Sequence, residues 1–137
     1  MAYDTILYEV RERICTITLN RPEHMNSYNS QMCQEINLAL DAADSDDDVR
    51  VVIFTGAEGG KRPAYCAGFD LTVDRPFDFS EAGFHNTRDT GGTNALRIYA
   101  MRKPVLVAIN GSAVGIGITM TLPMDMRILS EDAKLGF

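Results

Sequence analysis

Tryptophan is absent from the sequence, and cysteine and histidine are scarce, with three and two residues. Cys15, Cys33 and Cys66 are scattered and form no CxxC pair. That excludes a disulfide framework and the usual zinc spacings, and the three read as reduced, buried thiols of a cytoplasmic protein. No apolar run approaches the roughly 20 residues a membrane span needs. Met1-Ala-Tyr-Asp-Thr5 lacks the basic and apolar regions of a secretory signal. Positive charge is in deficit: 13 Lys and Arg against 19 Asp and Glu give a net charge of −6. Neither nucleic acid nor an anionic membrane is expected as a partner, because both need a basic surface. An anionic ligand would have to be held by a local positive feature.

Several motifs are missing as well. Gly115-Ile-Gly117 lacks the third glycine of a dinucleotide fingerprint, and no GK[ST] follows it. Gly111-Ser-Ala-Val-Gly115 is not G-x-S-x-G, so Ser112 has neither the elbow nor a placeable His–Asp partner. Asp44-Ser-Asp-Asp-Asp48 carries four carboxylates but no glycine or distal glutamate in calcium-loop order. It reads as a solvated connection, and no metal site is expected. Asn110-Gly-Ser112 matches a glycosylation sequon but follows a strongly apolar run, and it reads as accidental.

What is present fits one soluble α/β domain of 137 residues, with 45% hydrophobic and 23% charged residues. Residues 3–10 and 13–19 read as two strands joined by a turn at Arg11-Glu12. In the second strand Cys15, Ile17 and Leu19 form one apolar face. Met32, Ile36, Ala39, Leu40 and Ala43 recur at helical spacing between Ser27 and Asp44, with Asn26 or Ser27 as cap. Val51–Thr55, Val105–Ile109 and Met126–Leu129 read as buried strands. Helices are expected over 93–102, closed by Lys103-Pro104, and over Gly115–Leu122. Residues 70–92, with Pro76 and His85, read as a polar surface excursion. Alternating strands and helices predict an α/β fold with crossovers. Ala133–Phe137 reads as the beginning of an element, so the chain is expected to continue beyond it.

Two glycine-marked turns each follow a buried strand: Ala64-Tyr-Cys-Ala-Gly-Phe-Asp-Leu71 and Ala108-Ile-Asn-Gly-Ser-Ala-Val-Gly-Ile-Gly-Ile118. Small residues there let a ligand approach the backbone. Two freed N–H groups converging on one point would form an oxyanion hole. Glycines that simply permit tight turns between packed elements explain the same spacing.

Four blocks together resemble one family. Asn20-Arg-Pro22 with Asn26 resembles the N-terminal signature of the crotonase (enoyl-CoA hydratase/isomerase) family, and Cys66-Ala-Gly-Phe-Asp-Leu71 resembles its A-G-x-D-[LI] segment. Lys103-Pro104 through Val107-Ala-Ile-Asn-Gly111 to Ala113-Val-Gly-Ile-Gly117 resembles a third block, and Asp125-Met-Arg-Ile128 a fourth. They occur in the family's order across nearly the whole chain.

The resemblance implies a crotonase-like domain over 1–137, the N-terminal core of a ββα spiral that binds an acyl-CoA thioester. It implies oxyanion N–H groups from Ala67 and Ile116, whose side chain must then point away from the thioester. Ala64, Gly68, Phe69 and Asp70 would flank the CoA channel, with His24 and Met25 on its other side. Coenzyme A would enter as part of the substrate, with no separate cofactor. Assembly as trimers or pairs of trimers is implied for the full-length protein.

Thr119 stands where hydratases of the family carry a catalytic glutamate. A threonine hydroxyl does not titrate near neutral pH and cannot replace a carboxylate as general base. The alternatives left open are an isomerase or atypical hydratase, a non-catalytic acyl-CoA-binding paralogue, or an inactive fragment. Lys61 and Arg62 are candidate contacts for the CoA phosphates, with surface solubility as the equal alternative. His24 is equally readable as an exposed loop histidine. Asp70 is expected to bond backbone amides in its own turn.

Overall fold

The computed structural model describes residues 2–72 and 89–137. Most of the expected excursion, with Pro76 and His85, lies outside them.

Strands β1 (Ile6–Arg11) and β2 (Ile14–Leu19) pair antiparallel through a two-residue turn. Glu12 and Arg13 occupy it, both at positive φ, 51° and 69°, the backbone that matches the twist of a tight hairpin. β2 buries Cys15, Ile17 and Leu19, the apolar face expected from alternation. A short 3-10 turn (Pro22–His24) leads to helix α1 (Ser30–Ser45), then β3 (Val51–Gly56) and β4 (Ala64–Cys66). Helix α2 (Thr90–Tyr99), β5 (Val105–Ile109), β6 (Ser112–Val114), the one-turn helix α3 (Ile116–Thr119), β7 (Met126–Leu129) and β8 (Leu135–Gly136) follow.

The strands divide between two sheets. The larger has the order β1-β2-β3-β5-β7, parallel from β2 onward, and the smaller has the order β4-β6-β8, all parallel. After the β1–β2 hairpin, whose strands both lie in the large sheet, each pass of the chain lays one strand in the large sheet and the next in the small one, and the passes β3–β4 and β5–β6 are each followed by a helix. This is the ββα alternation of a spiral. The small sheet was not anticipated as strands. Runs of two or three residues carry no measurable period, and only a partner strand defines them.

The helix boundaries shift for local reasons. α1 starts at Ser30, because Asn29 and not Asn26 or Ser27 is its cap: the Asn29 side chain accepts from Met32 N at 2.8 Å. Asn26 and Ser27 are engaged in the preceding loop. α2 starts three residues before expectation, because Asp89 accepts from Gly92 N at 2.7 Å. α3 is shorter than expected and gives way to i→i+3 turns through Met124. β7 was expected to be buried, yet all four of its residues are exposed. It is paired on one side only, and nothing among the described residues covers its faces.

The core lies between α1 and the large sheet. Met32, Ile36, Ala39, Leu40 and Ala43 are fully buried, as their spacing predicted, against β2, Val52 and Phe54 of β3 and Val105 and Val107 of β5. Each such large side chain contributes about 1.5–3 kcal/mol. All three cysteines are free and buried. No helix among the described residues is long and apolar enough to cross a membrane. The central place of α1 gives a direct expectation. Leu40→Ala should lower stability by about 2–5 kcal/mol, read as a fall in the denaturation midpoint with an unchanged slope.

Candidate functional site

The site is built where β4 and β6 end. These strands are parallel, with Ala64 opposite Ser112 and Cys66 opposite Ala113, so the chain leaves both in the same direction. Phe69 and Ile116 each come three residues after the paired Cys66 and Ala113. The two turns press backbone against backbone. A Cβ on Gly117 would stand 2.4 Å from the Cys66 carbonyl oxygen, and one on Gly68 would stand 3.3 Å from that of Val114. Gly68 also sits at φ 103°, a conformation that L side chains disfavour.

A second segment brackets the first turn. Tyr28 N donates to Gly68 O at 2.8 Å and Asp70 N donates to Tyr28 O at 2.7 Å, a parallel bridge centred on Phe69. Ala67 N donates to Met25 O at 3.1 Å. The expected donor Ala67 is therefore already committed. Successive peptide groups of extended backbone point to opposite sides. Because Gly68 O and Asp70 N face Tyr28, the Phe69 N–H faces away from it, and it finds no acceptor among the described residues. Ile116 N, at the start of α3, finds none either. Phe69, expected only to flank the channel, has a backbone donor to offer in this turn. The bridge to Tyr28, 41 residues away in sequence, was the missing signal.

The segment carrying His24 and Met25 is held by Asn26. Its side chain accepts from Arg21 N at 3.0 Å and donates to Ala57 O and Ala64 O at 2.9 and 2.8 Å. That ties the end of β2 to the start of β4. Met25 and Asn26 both take left-handed backbone, with φ 54° and 52°. Arg21, noted in the sequence only as part of a motif, is a buried cation. Its Nη2 donates to Asp70 Oδ2 at 2.8 Å, and its Nη1 donates to Ser27 O at 2.8 Å and Ser27 Oγ at 3.2 Å. No local pattern reveals this pair, because its members are 49 residues apart.

A cleft of about 590 Å³ opens beside these turns and is lined by His24, Met25, Lys61, Arg62, Ala67, Phe69 and Asp70, among others. The structure thus gathers most of the expected site residues around one space. Lys61 and Arg62 are exposed there and make no ion pair among the described residues. They supply the local positive charge that an acidic chain needs to hold an anion. His24 is exposed, with its ring 3.8 Å from Glu23 Oε1. Ala64 is buried and lines an adjoining cavity of about 330 Å³ that shares Met25 and Arg62.

Ile116 and Thr119 do not line the cleft. The Ile116 side chain points at the first turn of α2, where Gly91 makes room for it: a Cβ on Gly91 would lie 2.3 Å from Ile116 Cδ1. Thr119 is exposed, and its N–H is spent on Gly115 O at 3.0 Å.

The ionisable groups in the turn are unsuited to proton transfer. The Thr72 hydroxyl, 2.6 Å from Oδ1, and the Arg21 guanidinium hold the Asp70 carboxyl down at about 2 despite its burial. It is a fixed anion and a weak base, bonded within its own turn as expected. Burial pushes the Cys66 thiol up to about 11, so it remains protonated.

The depressed Asp70 value carries a pH signature. A carboxyl lowered on folding adds stability above its unfolded value, and that stability is lost as pH falls through the folded value. The loss should occur as pH drops from the ordinary 3.8 to about 2. In Asp70→Asn, acid titration of the denaturation midpoint should show a shallower slope across this window.

The sequence model described as enoyl-CoA hydratase/isomerase matches residues 9–137. An enoyl-CoA hydratase of Alternaria alternata is 45% identical over 128 residues, covering 90% of this chain and 40% of that protein. A crotonyl-CoA hydratase of Syntrophomonas wolfei is 36% identical over 139 residues, covering 99% of this chain and 50% of that one. Among solved structures, an enoyl-CoA hydratase/isomerase from Xanthobacter autotrophicus superposes with a TM-score of 0.87 at 34% identity, covering 98% of this chain and 49% of its own. The chain spans about half the length of the relatives it matches.

Proposed function

Since the chain belongs to the enoyl-CoA hydratase/isomerase family, we propose that it binds an acyl-CoA thioester and stabilises its enolate with two backbone donors, Phe69 N–H and Ile116 N–H. The observation that carries this reading is the pair of parallel strands β4 and β6, which release two backbones side by side. Each presents an N–H without an acceptor among the described residues. Fixed dipoles of this kind act where charge develops and need no reorganisation, and removing one donor typically costs about 2.7–4 kcal/mol. The Ile116 side chain, turned toward Gly91, leaves its N–H unobstructed from that side.

In this reading Lys61 and Arg62 meet the CoA phosphates, and His24, Met25, Ala64, Gly68 and Asp70 shape the channel. Donors of this geometry would polarise the thioester carbonyl and stabilise charge on its oxygen when the adjacent carbon loses a proton. Thr119 cannot take that proton, and neither can Asp70. The proton chemistry belongs to residues outside those described, in a full-length protein assembled as trimers or pairs of trimers.

Titration of the full-length protein with acetoacetyl-CoA, followed by calorimetry, should show saturable one-site binding; no heat of binding at millimolar ligand would defeat the proposal. Raising salt should weaken the binding if Lys61 and Arg62 hold phosphates.

A second reading, acyl-CoA binding without hydration, is favoured by Thr119 alone. Loss of enoyl-thioester absorbance with crotonyl-CoA separates the two. The wild type is expected to hydrate crotonyl-CoA slowly or not at all, and Thr119→Glu to raise that rate by about 10²–10⁴-fold if the glutamate position is the missing acid–base group. Hydration by the wild type at a rate matching Thr119→Glu would show that Thr119 imposes no deficit.

A further inference from the structure

Arg21 and Asp70 bring opposite charges to 2.8 Å with side chains only 11% and 5% exposed. An ion pair buried this deeply adds little net stability, because desolvation offsets the Coulombic attraction. Its placement points to a different role. Asp70 immediately follows Phe69, and both of its carboxylate oxygens are engaged: Oδ2 by Arg21, and Oδ1 by Thr72 N at 3.0 Å and Thr72 Oγ1 at 2.6 Å. Arg21 is anchored at its other nitrogen to Ser27 O and Ser27 Oγ. Ser27 adjoins Tyr28, the residue that grips the peptide groups on either side of Phe69. One guanidinium therefore fastens both segments of the Tyr28–Phe69 bridge, one residue from the N–H assigned to the thioester. Arg21 itself does not line the cleft.

We propose that Arg21 is a positioning residue: through Asp70 and Ser27 it fixes the direction of the Phe69 N–H, and so sets how strongly a bound thioester carbonyl is polarised, without touching the substrate. The proposal rests on Phe69 as an oxyanion donor and deepens that reading. Arginine suits the task because its planar fork holds two partners at once, whereas lysine offers a single point charge. A purely structural role would lower stability and leave the polarisation of a bound ligand unchanged.

The test uses the full-length protein and 4-(dimethylamino)cinnamoyl-CoA, a conjugated thioester whose absorption moves to the red as its carbonyl is polarised. The wild type should bind it with a red shift. Arg21→Lys and Arg21→Gln should bind with nearly the same affinity but with the red shift reduced by half or more. Where crotonyl-CoA turnover is measurable, kcat should fall about 10–100-fold at nearly constant KM. A full red shift in the folded variants overturns the proposal, as does a loss of affinity that accounts for the missing signal. If the wild type binds with no red shift, the oxyanion reading itself fails, and this proposal with it. Should both variants unfold, Ser27→Ala decides. It removes only the 3.2 Å anchor and should show a smaller loss in the same direction; an unchanged shift overturns the proposal.

Discussion

Two backbones meet at the ends of β4 and β6 with no side chain between them, and the arrangement of the site follows from that contact. The Cys66 carbonyl oxygen lies where a Cβ on residue 117 would be, at 2.4 Å. Only glycine allows α3 to begin against β4. Gly68, at positive φ and close to Val114, meets the same demand from the other turn. Phe69 and Ile116 each follow a paired strand residue by the same number of positions. Had either turn carried a larger residue at these points, the strands could still pair, but their ends would splay and the two N–H groups would diverge.

The loop from Asn20 to Tyr28 supports this contact from outside. It forms no regular element beyond one 3-10 turn, yet its buried polar groups bond one another and reach Ala57, Ala64, Gly68 and Asp70. Asn26 holds Arg21, Ala57 and Ala64; Tyr28 holds Gly68 and Asp70; Arg21 holds Ser27 and Asp70. Buried polar groups need partners, and satisfying them here locks three stretches of chain into one frame. Asn110 plays the same part on the far side. Its amide accepts from Gly56 N at 3.1 Å and donates to Gly56 O at 2.8 Å, joining the ends of β3 and β5. The sequon that it heads is thus a structural bracket.

The chemistry divides along the same line. The described residues supply a cleft, two exposed cations beside it and two backbone N–H groups without an acceptor among those residues, which the proposed function uses to hold a thioester and stabilise negative charge. The titratable groups inside the two turns are not poised to move a proton. Asp70 is a fixed anion, Cys66 a protonated thiol, and Thr119 an exposed hydroxyl. The Ile116 side chain is accommodated because Gly91 has no Cβ to meet it.

Much of this was legible in the residues. Alternation in β2 and helical spacing in α1 identified the core, because burial on one face imposes a period that a single sequence displays. The two glycine turns marked the site, because close backbone approach excludes side chains, and the order of four motifs marked the family. The engagement of the Ala67 N–H by Met25, the Arg21–Asp70 pair, the cap at Asn29 and the small sheet were decided only in three dimensions. Each depends on a partner far along the chain. Which N–H stays unpaired is settled by strand register and by Tyr28, and which charge is buried is settled by a residue 49 positions away. Local sequence records what a residue prefers, whereas tertiary structure determines which of its polar groups are already used.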